Sequence, residues 1–467
     1  MLIFVPAIIS GTLLAHILWP DRSFWSVLFK VFLGIGLGLG LRSLLYFLYL
    51  LAFPGSNAFI YVEGTALLAL LAIAATRELR RPRPDWNHAL PSKPTRIQGI
   101  VLAIGSLVCI LSLLATANYL LRRRQGDWDA WMMYNRAARF IYFDQAHWLG
   151  SFSPEMSPIF HADYPLLLAS DIVAGWELLG RDSAAVPMVQ SALFAIACAG
   201  LLGSSLGAVK SLGQAALGIT LLWGVPVFVN EGARQMADVP LAFFILATGV
   251  LFFLYATNRQ RGLLVLAGIA VGLGAWTKNE GTVLVVGAVA SVLLAFVRRD
   301  SWTALLTFAA GLAVPLAVVI YFKLFLAPSG DILLGASGGL AAKLADVSRH
   351  TLIIQYLWNE FTAFGSWGIW GISIGILPIL AVYYLVFRSS IAQNVRAAYL
   401  AGLAMLGIQV VGYYAAYLVS PYDLAWHLSY SSTRIVAQVF PLILFLTLAA
   451  SREAEQVLTR VPSAIPE

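Results

Sequence analysis

Long runs of apolar residues constrain this chain more than any other feature. A helix crossing the hydrocarbon core of a bilayer needs about 20 mostly apolar residues. About thirteen stretches qualify, with cores near 2–19, 31–53, 59–76, 97–121, 184–207, 213–229, 239–257, 262–277, 281–297, 302–326, 366–387, 397–418 and 435–450. The ten-residue alternating segments of a membrane β-barrel are not seen. Of the 467 residues 60% are hydrophobic and 11% charged, against about 45–50% and about 25% in soluble domains. A soluble enzyme, a disordered chain and a coiled coil are therefore excluded. The expected fold class is an all-α polytopic membrane protein.

The few charges carry topology. The net charge of +7 would suit nucleic acid, but the bases are scattered through short loops and form no stripe, so no nucleic-acid partner is expected. The loop from Arg77 to Arg96 holds Arg77, Arg80, Arg81, Arg83, Lys93 and Arg96, which places it in the cytoplasm. Alternation from there puts more than half of the 30 Lys and Arg inside and most of the 23 Asp and Glu outside. Arg42 interrupts the second span, and an intramembrane Arg needs a partner; Glu63 is the candidate. Cys109 and Cys198, the two cysteines, read as inert buried thiols, with no disulfide framework and no thiolate metal site. Residues 1–20 lack a basic leader and a cleavage site, so they read as a retained span. The Pro-rich stretch from Arg81 to Pro94 reads as a short cytoplasmic linker.

Two outer segments are long, about 122–183 and about 327–365, and connections of this length are usually functional. Trp131, Tyr134, Ala138 and Ile141 recur at helical steps in the first, as do Leu344, Val347, Ile354, Trp358 and Phe361 in the second. Both patterns predict amphipathic helices on the membrane surface, in contact with its lipids.

Five polar clusters fall on the predicted outer face. Asp127-Trp128-Asp129-Ala130-Trp131 places two carboxylates at a helix start. They suit either a helix cap or a general base taking a proton from an acceptor hydroxyl. Arg136 lies seven residues beyond Asp129 and would share its helix face. His161-Ala162-Asp163-Tyr164-Pro165 is either a solvated turn or a place where His161 and Asp163 bind a metal or a sugar hydroxyl. Glu231 to Pro240 is a tight turn in which Asp238 is a plausible helix cap. Trp276-Thr277-Lys278-Asn279-Glu280-Gly281 is a very short joint. Its Lys278 either snorkels or clamps a phosphate. Tyr422 to His427, followed by Ser431, Ser432 and Arg434, either anchors the interface or holds an anion.

Carboxylates beside Lys and Arg suit a reaction on a phosphate-linked substrate. The cations would neutralise the phosphate leaving group while a carboxylate deprotonates the nucleophile. There is no GxxxxGK[ST] motif and no Gly-rich nucleotide fingerprint, so no nucleotide cofactor is expected and a lipid-phosphate donor fits better. The rival classes are a flippase or transporter of lipid-linked glycans, a glycan ligase or polymerase using lipid-diphosphate donors, and a structural membrane subunit. A transporter would spread its charges along a path through the midplane.

From about Ile97 onward the sequence resembles the bacterial membrane glycosyltransferases of the C superfamily (GT-C), in the branch of galacturonosyl- and protein-mannosyltransferase-like proteins. The resemblance rests on Trp-Asp-Ala-Trp with Asn-Arg-Ala at 128–137, Asp-Tyr-Pro-Leu-Leu at 163–167 and Ala-Asp-Val-Pro-Leu at 237–241. Thr-Lys-Asn-Glu-Gly at 277–281 and Trp-His-Leu, Ser-Ser, Arg and Gln within 426–438 complete it. It implies a GT-C-type fold and an inverting transfer from a polyprenyl-phosphate sugar to a glycan, lipid or protein acceptor. The reaction would take place on the periplasmic face of the bacterial inner (plasma) membrane. The resemblance implies Asp129 as catalytic base, with Asp127 the alternative, and Lys278, Arg434 and His427 as donor-phosphate contacts. Asp163, His161, Asp238, Glu280 and Arg136 would lie near the acceptor or a metal. A divalent cation such as Mg or Mn is left open, since the family has metal-dependent and metal-independent members. Residues 1–96 would be an N-terminal extension of about three spans, 97–450 the catalytic unit and 451–467 a cytoplasmic tail. Ala162 stands where relatives are expected to have Pro.

Overall fold

The computed structural model describes residues 2–80, 94–153, 155, 161–297, 302–330, 339–366, 374–389 and 391–453. Most of the proposed linker and of the tail lies outside these residues. Within them the chain is helical, with one isolated β-bridge between Arg388 and Ser451 and no strands.

Four helices come first: α1 (Val5–Leu18), α2 (Phe24–Ala52), α3 (Phe59–Leu79) and α4 (Arg96–Arg122). The first outer segment then folds as a π-helical turn (Ala130–Tyr134), α5 (Asn135–Phe143) and α6 (Leu167–Leu179). The body continues through α7 (Ala185–Val209), α8 (Leu212–Trp223), α9 (Pro226–Ala233), α10 (Asp238–Asn258), α11 (Gly262–Thr277), α12 (Gly281–Val292) and α13 (Trp302–Tyr321). Beyond the second outer segment, with α14 (Leu340–Ala345) and α15 (Val347–Ala363), come α16 (Ile376–Phe387), α17 (Gln393–Val419) and α18 (Leu424–Ala449).

Eight of these helices are long and apolar enough to cross a bilayer, or nine if α8 and α9 form one span bent by 70°. Pro226 explains the bend. It stands at the first turn of α9, where a missing N–H costs nothing, and it disfavours helix in the residue before it. Four shorter apolar helices complete the set: Leu2–Leu18, Gly262–Thr277, Gly281–Val297 and Ile376–Phe387.

At the centre lies α10, whose residues from Asp238 to Ala256 are all buried. A helix apolar all round needs neighbours on every side; α10 has α7, α11, α17 and α18. Glycine permits the closest approaches. A Cβ on Gly281 would fall 2.0 Å from the Gly274 carbonyl oxygen, so the hairpin of α11 and α12 closes only with glycine there. That closure fixes the Lys278-Asn279-Glu280 turn immediately before it.

Several expectations are corrected. The partner of Arg42 is Asp171 on α6, at 2.6 Å and with both side chains almost fully buried; the Glu63 Oε1 is buried without a hydrogen bond. The last long helix starts at Leu424 instead of near 435, because Asp423 caps it through the Trp426 N–H at 2.8 Å. Arg434 is thereby carried inside a helix. Tyr134, Ala138 and Ile141 are buried, with α5 packed on α6, so these three positions of the first amphipathic pattern cover protein, while Trp131 remains exposed. On α15 and just before it, Leu344, Val347, Ile354, Trp358 and Phe361 remain exposed. Cys198 is buried, but Cys109 is only partly so.

Candidate active site

The centre of the site is Asp238, the first residue of α10, 1% exposed. The turn after α11 supplies Lys278, whose ammonium donates to Asp238 Oδ1 at 3.1 Å. From α18, Arg434 Nε and Nη2 donate to Oδ2 at 3.0 and 2.8 Å, and Gln438 Nε2 donates to Oδ1 at 2.6 Å. Such an arrangement needs burial and pairing together, since an ion stripped of water is stable only when its lone pairs are filled. Asp238 is no helix cap: its side chain accepts nothing from its own helix. Its carboxylate anchors two cations.

Each cation reaches a second carboxylate. Lys278 also pairs with Glu280 at 2.8 Å. Arg434 Nη1 pairs with Asp129 Oδ2 at 2.8 Å, and Tyr430, one turn earlier on α18, donates its hydroxyl to Asp129 Oδ1 at 3.0 Å. The first-loop acid is thus brought to the edge of the Asp238 cluster by one guanidinium. Asp129 makes no capping bond. Burial would lower the Lys278 pKa, but Asp238 and Glu280 outweigh it and hold the ammonium above its usual value.

The rest of the site is built from buried hydroxyls. Tyr134 is buried beside Asp238 and Asp129, and its hydroxyl has no hydrogen-bond partner. Burial, and then those two carboxylates, push it well above the usual phenol value. Tyr164 is raised in the same way by burial and by Glu280. Both stay neutral, able to donate a proton into a hydrogen bond.

The other candidates divide. Asp127 serves a different group: Arg234 Nε reaches its Oδ2 at 2.9 Å and Arg123 its Oδ1 at 3.4 Å, while Arg234 also holds Glu231 at 2.5 Å. Asp163 accepts from Asn279 Nδ2 at 2.7 Å and faces Lys323 at 3.6 Å, so the 161–165 loop is tied to the Lys278 turn. His161 packs edge-on against Tyr164 with φ of +46°. His427 bonds Ser420 Oγ at 2.8 Å through Nδ1 and packs on Tyr417, two helical turns (about 10 Å) along α18 from Arg434.

Arg136 does not share a face with Asp129. The π-turn at 130–134 inserts an extra residue into the helical phase. Arg136 instead donates to the Met132 carbonyl at 2.8 Å and lines a small cavity with His161, Tyr134 and Tyr164. Among the described residues, no three His, Cys, Asp or Glu side chains are grouped as metal ligands.

Residues 163–322 match the family model described as dolichyl-phosphate-mannose-protein mannosyltransferase. Over this segment, about a third of the chain, the protein is similar to that family of membrane glycosyltransferases. The matched residues supply Asp163, Asp238, Lys278 and Glu280, while Asp129, Arg434 and His427 lie outside them. The match favours the transferase over the flippase, ligase and structural readings. No match was found among curated proteins or among solved structures.

Asn279, Lys323, Tyr430 and Tyr413, which donates to Gln438 at 2.5 Å, were not identified as site residues from the sequence. Tyr134 appeared there only as part of a helical pattern. Asn279 stood inside a flagged motif and could have been found. Lys323 had no such signal, since it follows a long apolar run.

Proposed function

We propose that this protein transfers mannose from a polyprenyl-phosphate donor to a protein acceptor, with inversion, at the outer face of the inner membrane. The donor and acceptor are those that the family's description names. Thirteen crossings follow if the bent pair and the four shorter apolar helices all span. The arginine-rich loop after α3 then sets the cytoplasmic side.

One observation carries the mechanism: Arg434 joins Asp129 to Asp238 through opposite edges of a single guanidinium. Asp238 keeps its grip on Arg434 and Lys278 throughout. The donor phosphate replaces Asp129 at Arg434 Nη1 and accepts a hydrogen bond from the third N–H of the Lys278 ammonium, which stays charged. Asp129, released but still adjacent, accepts the proton of the acceptor hydroxyl. The hydroxyl oxygen bonds the anomeric carbon as the bond from that carbon to the phosphate oxygen breaks, and the electron pair leaves on the phosphate. Attack from the face opposite the leaving group inverts the anomeric centre. Asp127, engaged by Arg234 and Arg123, holds the loop in place. Glu280 and Asp163 orient the Lys278 turn at the acceptor side. Removal of the base typically costs about 10²- to 10⁴-fold in rate.

The test is D129N, assayed in membranes with a polyprenyl-phosphate mannose and a hydroxyl-bearing peptide. Transfer should fall by at least about a hundredfold, with donor binding retained. Near-normal transfer by D129N would refute the assignment of the base.

A further inference from the structure

The N-terminal helices lie outside the matched family segment, and in the sequence they read as an extension without a role. Their contacts give them one. On α2, Gly36, Gly40, Ser43 and Phe47 recur at helical spacing and face the catalytic body. A Cβ on Gly36 would meet the Phe243 ring at 2.1 Å, and one on Gly40 would meet Leu273 at 2.8 Å. This face therefore lies directly against α10 and α11.

Ser43, fully buried, is placed between two site loops. It accepts from Trp276 Nε1 at 3.0 Å and donates to the Leu166 carbonyl at 3.3 Å. Trp276 stands two residues before Lys278, and Leu166 three residues after Asp163. One turn on, Phe47 packs against Trp276 at 5.0 Å and against Trp148 at 5.8 Å. Trp276 and Phe152 both close on Phe322, at 5.6 and 5.4 Å. Phe322 is the neighbour of Lys323, which bonds Asn279 at 2.6 Å and also reaches Asp163. These aromatic rings form a layer beneath the polar turn. On the adjoining face of α2, Arg42 holds Asp171 on α6, and Tyr46 donates to Glu177 at 2.6 Å.

We propose that Ser43 is a positioning residue of the transfer site, tying the Asp163 loop to the Lys278 turn through its two hydrogen bonds, and that α2 is an integral part of the catalytic unit. The proposal rests on the transferase reading above. Ser43 touches no substrate. It keeps two loops in register so that the donor-binding cation and the groups around it arrive together.

The experiment compares full-length wild type, S43A and the control S205A in nanodiscs. Ser205 is equally buried but bonds only within its own helix, to Leu202 at 2.9 Å. Three quantities are measured: thermal unfolding, hydrogen exchange of peptides covering 161–167 and 275–281, and steady-state transfer from a polyprenyl-phosphate mannose. S43A should unfold like S205A. It should exchange about tenfold faster in both peptides and lose about tenfold or more in kcat with little change in KM. S205A should change neither loop. Faster exchange in one loop alone or in neither, or an unchanged kcat, would overturn the proposal. If wild type transfers nothing from this donor, the donor assignment falls, and exchange in the two peptides decides the bridge on its own.

Discussion

Replacing Asp238 with Asn should be among the costliest single changes in the molecule. The carboxylate takes Lys278 and Gln438 on one oxygen and two nitrogens of Arg434 on the other. Asn keeps one accepting oxygen and turns an NH2 toward donors. Both cations lose the charge of Asp238, and whichever way the amide is oriented one side of the cluster also meets an NH2 in place of an acceptor. Breaking a buried pair by removing one partner costs about 3–5 kcal/mol, or between roughly 10² and 10⁴ in an equilibrium constant. Cys198 reports this directly. It is fully buried on α7, which packs on α10. In a C109S background it is the one remaining thiol, since the chain has two. Its labelling by a thiol reagent under native conditions follows the population of the opened state. D238N should label between roughly 10²- and 10⁴-fold faster than wild type. D129N should label within about fivefold, because Asp129 lies at the cluster's edge with 15% of its side chain exposed. Adding R434Q to D238N should recover part of the loss, as the stranded charge is gone. Labelling of D238N at the wild-type rate would refute the claim that Asp238 is the anchor.

The same thiol assay checks two other sites. R42M should destabilise by about 3–5 kcal/mol by stranding Asp171, R42M/D171L should regain most of it, and E63Q should stay within about 0.5 kcal/mol of wild type. G11A should cost about 1–3 kcal/mol, because a Cβ there would lie 2.1 Å from the Gly34 carbonyl oxygen and 2.5 Å from the Gly38 nitrogen, and backbone cannot move aside. Lys278 supplies a pH test, read by denaturant unfolding with intrinsic tryptophan fluorescence. Its folded pKa is raised, with the carboxylates outweighing burial. Its contribution is therefore fully present below the unfolded value of about 10.4 and is lost as pH rises through the folded one. K278M should be less stable than wild type from neutral pH upward, and the gap should narrow only above about pH 10.4. A gap that closes between pH 7 and 9 would contradict this.

The bundle was legible in the sequence because a bilayer permits few solutions, and apolar length reports them directly. Its boundaries were less so. Hydropathy placed Arg434 ahead of the last span, because a polar run reads as loop until its partners are known. Asp238 and Asp129 lie far from it in the chain, and only their convergence makes a buried guanidinium tolerable. Arg42 failed for a similar reason. Glu63, an acid inside a predicted span, was the candidate, whereas Asp171 was assigned to an outer loop that folds into the body. The Asp129–Arg136 face was lost to the π-turn, which leaves no periodic trace in the sequence. In contrast, the Lys278 turn was readable, since its joint is short and glycine follows at once.

Charge balance gives the proposed transfer its direction. At rest the cluster sets Asp129, Asp238 and Glu280 against Lys278 and Arg434, one negative charge in excess. A donor phosphodiester brings one more. During transfer Asp129 takes up a proton and becomes neutral, while the phosphate becomes a monoester and gains a charge. The total is unchanged, but one negative charge has moved from the carboxylate to the phosphate. Arg434, which faces Asp129 before the donor binds, then faces the leaving phosphate with its competing anion neutralised. The fixed grip of Asp238 keeps both cations from following the charge by moving, so their field is already in place when the bond breaks. Arg434→Lys keeps the charge but cannot grip Asp238 through two nitrogens while holding a third nitrogen toward Asp129. It should therefore bind donor and still lose turnover.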